Sequence, residues 1–285
     1  MKTTCAFAIQ RTRADGFALI DLLAILITCG ILGALLLPAL AATKPDSQAF
    51  QCLENQRQLV RAWQMYAQDN HGKLAPNGNE SSQGNSATDP VYQGADVQWC
   101  PGRMDSSAPA GWPTNADFLK VGCIYPYVKT VTVYRCPADH STALVYGKLE
   151  PRCRSISMNG WMNPINIWNT SANGRVFHKE SDLGLMGPAN IWLLVDENPY
   201  SINDGMMAEY PPAGPAAAPN LNWVDYPATY HNGGSGLSFC DGHVEIRKWT
   251  DPVVLNMRTA DPSALPATAG NGDLPWLQAH ATRHD

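Results

Sequence analysis

The sequence predicts an α+β fold in which a long N-terminal helix is followed by a head with a small antiparallel sheet. Apolar residues recur at three- and four-residue steps up to about residue 70, which is the period of a helix. From Lys73 onward, short runs rich in β-branched and aromatic residues alternate with Gly, Pro, Asn and Asp. The chain has 285 residues, 45% of them hydrophobic, which is ample for one core.

The first predicted element is the apolar run of residues 17–42, whose only charged residue is Asp21. A helix of about 20 apolar residues can cross a bilayer, so we expect a transmembrane segment here. The basic residues Lys2, Arg11 and Arg13 precede it and predict a cytoplasmic N-terminus with the rest of the chain outside. A carboxylate in hydrocarbon costs about 2.5–3.5 kcal/mol, so Asp21 is expected to have a partner.

Residues 43–72 are predicted to continue the helix as an amphipathic segment. Its apolar positions are Phe50, Leu53, Leu59, Val60, Trp63 and Tyr66. Gly72 follows the last periodic residue and suits a C-terminal cap, because glycine tolerates the left-handed conformation found there. Residues 73–285 then form the globular head.

The predicted strands of the head are 130–136, 190–197, 236–242 and 243–249. Between the last two lies Asp241-Gly242, a two-residue signal for a hairpin with a type I′ turn. The segment after His231 is short and glycine-rich, so we expect His231 to lie beside this turn.

The stretch GFALIDLL, followed by a long apolar run with Pro38 inside it, resembles the class III signal of type IV pilins and type II secretion pseudopilins. The resemblance implies that residues 1–16 are a leader, removed by a prepilin peptidase between Gly16 and Phe17. Phe17 is then N-methylated, and Asp21 neutralises the N-terminal amine of the neighbouring subunit. The usual residue at this position is Glu, so Asp21 departs from the family pattern.

This resemblance implies a pilin-like fold and a structural, non-enzymatic subunit of a type II secretion or type IV pilus-like filament. Before assembly the chain is expected to be a single-pass protein of the bacterial inner membrane with its head in the periplasm. Afterwards it belongs to a periplasmic or cell-surface filament. The implied partners are other copies of the chain, the prepilin peptidase, the secretion or pilus assembly machinery and the membrane.

Segments of the head, among them YRCPAD and YHNGGSGLSFCDGHVEIRKW, resemble the large pilin-like proteins of planctomycetes and verrucomicrobia. Those proteins carry a histidine, nine residues and Asp-Gly, which here is His231 to Asp241-Gly242. Two other functions remain open. One is a membrane-anchored protein that binds a glycan or another substrate, and the other is a hydrolase that uses His231 and Asp241.

The residues of the head with the right chemistry for a metal site are Asp196, Glu197, His231, Asp241 and His243. Carboxylates and imidazoles bind divalent metals or act as general acids and bases. The alternative is structural, with a turn at Asp241 and hydrogen bonds to loops from the other side chains. Pseudopilins that resemble this chain often bind calcium, so Ca²⁺ is the candidate cofactor. No GxSxG, HExxH or phosphate-loop motif is present.

Charge and cysteine usage argue against two further functions, nucleic-acid binding and zinc binding. The net charge of −5 leaves no basic surface of the kind that binds nucleic acid. Six cysteines fall outside the predicted leader and membrane segment: Cys52, Cys100, Cys123, Cys136, Cys153 and Cys240. There is no CxxC pair, which argues against zinc and favours disulfides or buried free thiols.

Overall fold

The structure is a computed structural model that describes residues 19–78, 97–106, 108–165, 169, 174–214, 219–259 and 264–284. The predicted leader 1–16 and the cleavage point between Gly16 and Phe17 lie outside the described residues. The chain divides into two compact units, Met1–Lys44 and Pro45–Asp285.

The first helix, α1, spans Leu19–Asp69. Asp21 belongs to it, but its side chain is outside the described part. In the second unit, α1 buries an apolar face that includes Leu59, Val60 and Trp63. The helix ends as predicted, since Gly72 has a φ of 79° and donates its N–H to the carbonyl of Ala67 at 2.7 Å.

The predicted membrane span is corrected by the structure. Among the described residues, no helix is both long and apolar enough to cross a bilayer. The expectation of a single-pass inner-membrane protein is therefore not supported.

The class α+β is found, but the predicted pilin-like arrangement on a small antiparallel sheet is wrong. The main sheet has five strands in the order β5-β3-β4-β7-β8. They are β3 Ile156–Asn159, β4 Trp192–Asp196, β5 Met206–Met207, β7 Gly234–Phe239 and β8 Val244–Lys248. The sheet is mixed, because β3 pairs antiparallel with β4 and parallel with β5. The chain reverses after β4 and passes to the far edge of β3, so β5 runs in the direction of β3.

Two small two-stranded sheets and several short helices complete the described head. The remaining strands are β1 Thr142–Val145, β2 Lys148–Pro151, β6 Asn222–Trp223 and β9 Leu265–Pro266, paired β1 with β2 and β6 with β9. The helices are α2 Asp117–Lys120, α3 Tyr125–Val128, α4 Pro252–Leu255 and α5 Asp273–Ala279. Short 3-10 helices span Trp112–Thr114, Thr132–Tyr134, Glu180–Leu185 and Pro188–Asn190.

The predicted strand 130–136 is wrong, because its centre is the 3-10 helix Thr132–Tyr134. The segment that follows is held by isolated hydrogen bonds rather than by the hydrogen-bond ladder of paired strands. Ser155 donates its N–H to the Tyr134 carbonyl at 3.1 Å, and its Oγ accepts the N–H of Cys136 at 2.8 Å. Strands β4, β7 and β8 confirm the other three strand predictions, with boundaries shifted by one to three residues.

The hairpin between β7 and β8 is confirmed, with Gly242 at a φ of 100°. The turn is not type I′, because Asp241 is not among the residues with positive φ. Gly242 donates to the Phe239 carbonyl at 2.9 Å, and Phe239 donates to the His243 carbonyl at 3.0 Å, which gives a three-residue loop with a glycine bulge. The prediction that His231 lies beside this turn is wrong, since β7 separates them by about 20 Å of strand.

The core joins α1 to the sheet through large aromatic side chains. Among the tryptophans that the structure describes, five are fully buried: Trp63, Trp99, Trp161, Trp192 and Trp223. Trp192 lies in β4 and donates its indole N–H to the Leu277 carbonyl of α5 at 3.1 Å. These tryptophans therefore serve packing of the core.

Candidate functional site

Four buried side chains converge beneath α1: Cys52, Cys136, Asp196 and His231. Each offers one atom able to bind a metal, and these four atoms all lie within 4.8 Å of one another. Within the described part of the chain, no other group of three or more His, Cys, Asp and Glu residues is arranged in this way. The cluster is therefore the strongest candidate for a functional site.

Each member of the cluster comes from a different segment of the fold. Cys52 lies on α1, and Cys136 follows the 3-10 helix that ends at Tyr134. Asp196 is the last residue of β4, and His231 precedes β7. The site thus links the helix, the loop after the 3-10 helix and the central strands of the sheet.

Backbone hydrogen bonds fix the segments that carry Cys136 and Asp196. The N–H of Cys136 donates to Ser155 Oγ at 2.8 Å. The carbonyl of Asp196 accepts the N–H of Ala228 at 2.7 Å. These bonds hold both side chains in position without using the atoms that face the cluster.

Contacts within the cluster are short. Cys52 Sγ lies 3.0 Å from Asp196 Oδ2, and Cys136 Sγ lies 3.3 Å from His231 Nε2. The distance from His231 Nε2 to Asp196 Oδ2 is 3.8 Å. Gly236 in β7 adds one backbone donor, with its N–H 3.0 Å from Asp196 Oδ2.

The space around the cluster is closed by Gly236 and Gln56. A Cβ added at Gly236 would lie 2.9 Å from Cys52 Sγ, 3.0 Å from Asp196 Oδ2 and 2.7 Å from Gln56 Nε2. Gln56 is fully buried, and neither its Nε2 nor its Oε1 has a hydrogen-bond partner in the structure. Asp196 Oδ1 is likewise buried without a partner. Polar atoms left without a partner are costly in a protein interior, so these three are open to a further hydrogen bond or ligand.

Burial shifts the proton equilibria of the cluster toward uncharged groups. It raises the pKa of Asp196 to about 6 and lowers the pKa of His231, where the Lys248 charge acts in the same direction. The hydrogen bond with Cys136, together with burial, raises the pKa of the Cys52 thiol well above its usual range. For Cys136 the bond with Cys52 lowers the pKa, but burial and the Asp196 charge leave it raised.

The arrangement does not fit a cysteine nucleophile. A catalytic thiol has a lowered pKa, and its histidine is oriented by a carboxylate on the other ring nitrogen. Here Asp196 approaches the same Nε2 that faces Cys136, and the thiol pKa is raised. Two thiols, an imidazole and a carboxylate are instead a donor set for a transition metal, and the two thiols could alternatively form a disulfide.

The cluster contains two of the five predicted site residues, Asp196 and His231. Glu197 is buried elsewhere, with Oε1 accepting the Ser201 hydroxyl at 3.1 Å. Burial raises the pKa of Glu197 well above its usual range, and the charge of Asp225 adds to this.

Asp241 and His243 pair with each other in the hairpin loop. Their Oδ1 and Nδ1 atoms are 2.6 Å apart and exposed, at the opposite end of β7 from His231. His243 also stacks on Phe239 with ring centroids 4.0 Å apart. A joint His231 and Asp241 cluster, on which the hydrolase alternative depends, is therefore not formed.

Sequence reasoning missed Cys52 and Cys136 as site residues. All six described cysteines are free thiols. Neither cysteine belongs to a CxxC pair, so no local motif marked them in the sequence.

Two cavities of about 570 Å³ each border the loop after Cys136. Both include Asp139 and His140 in their walls, and Asp139 forms an ion pair with Arg135 at 3.2 Å. Their volumes fall in the range of small-molecule sites. They are the places where the substrate-binding alternative is best tested.

Comparison of the chain with protein-family models, with curated proteins and with solved structures finds no significant match.

Proposed function

We propose that this chain is a non-enzymatic structural subunit that assembles with other copies into a filament of the type IV pilin and type II secretion pseudopilin kind. The observation that carries the proposal is a run of exposed apolar side chains near the start of α1. These are Leu22, Leu23, Ile25, Leu26 and Ile27, which are between 46% and 61% exposed.

This run is apolar on more than one face. At about 100° per residue, its side chains spread over more than half of the helix circumference. A helix that is hydrophobic around its circumference is normally buried, because exposing it costs about 25 cal/mol for each Å² of apolar surface. Several neighbours are needed to cover such a helix, and a bundle of the same segment from other copies provides them.

The sequence before the run supports copies of the chain as the occupants. Gly16-Phe17 and Asp21 match the prepilin signal. Cleavage by a prepilin peptidase frees an amine on Phe17, and the Asp21 carboxylate of a neighbouring copy offsets the charge of that amine in an apolar bundle. The signal and the apolar run thus point to the same kind of assembly.

The test is filament formation by the full chain, coexpressed with a prepilin peptidase and assembly machinery. Leu23→Asp with Leu26→Asp should reduce sheared filaments at least tenfold, because the charges oppose bundle packing. Phe50→Asp is the matched control and should assemble normally, because Phe50 is similarly exposed on α1 but lies in the second unit, Pro45–Asp285. Asp21→Ala should also block assembly, and Asp21→Glu should restore it. Normal filaments from the double variant would refute the proposal.

A further inference from the structure

We propose that Cys52, Cys136, Asp196 and His231 bind one Zn²⁺ ion in a closed, structural site that fastens α1 to the central sheet. The inference concerns the second unit, Pro45–Asp285, alone and does not depend on filament assembly. It rests on the geometry of the four donor atoms and on the groups that surround them.

The spacing of the donor atoms suits a tetrahedral ion. With Zn–S bonds of about 2.3 Å and Zn–N or Zn–O bonds of about 2.0–2.2 Å, tetrahedral ligands lie roughly 3.3–3.8 Å from one another. The distances from Cys52 Sγ to Asp196 Oδ2, from Cys136 Sγ to His231 Nε2 and from His231 Nε2 to Asp196 Oδ2 are 3.0, 3.3 and 3.8 Å. All four donor atoms lie within 4.8 Å of one another, so shifts of up to about 1 Å complete the tetrahedron.

The donor types select zinc over the calcium expected from the sequence. Ca²⁺ takes six to eight oxygen ligands, whereas this cluster offers two sulfurs, one nitrogen and one carboxylate oxygen. Thiolate and imidazole are preferred ligands of Zn²⁺. All four residues are buried, and together they fill a tetrahedral shell, as in structural sites rather than catalytic ones.

The surroundings provide a second, independent observation. The position that a Gly236 Cβ would occupy is 2.7 Å from Gln56 Nε2 and 3.0 Å from Asp196 Oδ2, so the Gln56 amide lies beside the ligands. This amide is fully buried and has no hydrogen-bond partner. Anionic ligands of a bound metal are normally hydrogen-bonded by such outer groups. Gln56 is therefore a buried donor next to the ligands, and a shift of its side chain would let it donate to one of them.

A Cys52–Cys136 disulfide is the competing use of the same thiols. It accounts for two of the four groups and leaves Asp196 and His231 buried without a role. A zinc ion engages all four and offsets two of the three negative charges that the carboxylate and the two thiolates carry. We therefore favour the metal, and the experiment separates the two outcomes.

The experiment begins with the full chain, expressed with added zinc and purified without chelator. Elemental analysis should give about one zinc per chain. Exchange with Co²⁺ should give the visible absorption of a tetrahedral site and a thiolate-to-cobalt charge-transfer band. A chelator should lower the melting temperature by several degrees, and added Zn²⁺ should restore it, because the ion binds the folded chain selectively.

Ligand variants then identify the site. Cys52→Ser, Cys136→Ser, Asp196→Asn and His231→Gln should each lower the zinc content at least fivefold. Cys240→Ser, a buried thiol outside the cluster, and His243→Gln are matched controls and should retain one zinc per chain. Asp196→Asn and His231→Gln keep the side-chain volume, so they should remain folded where a cysteine variant does not.

Three results would overturn the inference. The first is a wild-type chain with less than a tenth of an equivalent of zinc, or with another metal in its place. The second is a Cys52–Cys136 disulfide, detected by mass after alkylation under denaturing, non-reducing conditions. The third is full zinc content in the ligand variants. If no ligand variant folds, a wild type without a chelator effect and without tetrahedral Co²⁺ bands equally rejects the site.

Discussion

The side chain of Glu209 is buried inside the head, with 1% of its surface exposed. Burial raises its pKa well above the ordinary value of 4.5, and the charge of Asp225 adds to the shift. Because the folded chain holds this proton more tightly than the unfolded chain, its contribution to stability is fully present below about pH 4.5. The contribution is lost as the pH rises through the raised pKa.

We predict that Glu209→Gln increases the free energy of unfolding at pH 7 and flattens its decline above about pH 4.5. The amide keeps the shape of the side chain but carries no charge to desolvate. Urea denaturation between pH 4.5 and 8 measures the effect. Glu150→Gln, in an exposed position of β2, is the control and should follow the wild type. Parallel curves for wild type and Glu209→Gln would contradict the prediction.

Gly236 has no side chain, and this leaves room for the side chains of the Cys52 and Asp196 cluster. Gly236→Ala places a methyl group 2.9 Å from Cys52 Sγ and 3.0 Å from Asp196 Oδ2, so the two side chains must separate. We predict a loss of stability of roughly 1–3 kcal/mol from overpacking, together with loss of zinc. Thermal melting and elemental analysis measure both. Gly184→Ala is the control, because a Cβ at Gly184 has nothing within 4 Å. Full zinc binding by Gly236→Ala would argue against the packing described.

At the N-terminus of α4, the carboxylate of Asp251 connects three segments of the chain by hydrogen bonds. Asp251 caps the helix by accepting the Val253 N–H at 3.0 Å. It also accepts the Trp223 indole N–H from β6 at 3.0 Å and the Thr268 hydroxyl, beyond β9, at 2.6 Å. The short β6 and β9 strands are thus tied to α4 by side-chain bonds as well as by their own pairing.

We predict that Asp251→Ala costs roughly 2–4 kcal/mol, because it removes a cap and leaves a buried indole N–H without an acceptor. Asp251→Asn should cost less, since one acceptor oxygen remains. Chemical denaturation gives the values. Asp117→Ala is the comparison, because its ion pair with Lys120 is exposed and such pairs contribute little to stability. Equal losses for the two alanine variants would refute the account of Asp251.

Elements with a strong local signal were predictable from the sequence. The helical period and Gly72 located the end of α1, and apolar runs located β4, β7 and β8. The mixed character of the sheet was not predictable, because β5 has only two residues, Met206–Met207, and no period. The run 130–136 has the composition of a strand, but Cys136 and Tyr134 bond to Ser155 instead of to a neighbouring strand.

At the scale of the whole molecule, the spacing of residues along the sequence does not reveal which side chains form the candidate site. Asp196 and His231 were identified by residue type, but Cys52 and Cys136 were not. The absence of a CxxC pair argues only against zinc sites in which two ligands lie on one local turn. In the candidate site, each of the four possible zinc ligands comes from a separate segment of the chain, so tertiary contacts alone bring them together. The same contacts keep His231 and Asp241 apart, since β7 runs between them.

The position of Cys52 on α1 has a mechanical consequence. In the filament proposed above, tension would load each subunit along the helix by which it is held. With zinc bound as proposed, the thiolate of Cys52 shares an ion with Asp196 at the end of β4, so force in the helix passes to the middle of the sheet through the ion as well as through the packed face of α1. The helix then cannot peel away turn by turn beyond Cys52. Detachment requires rupture of a metal–ligand bond, which makes the force at which the head unravels a property of the ion.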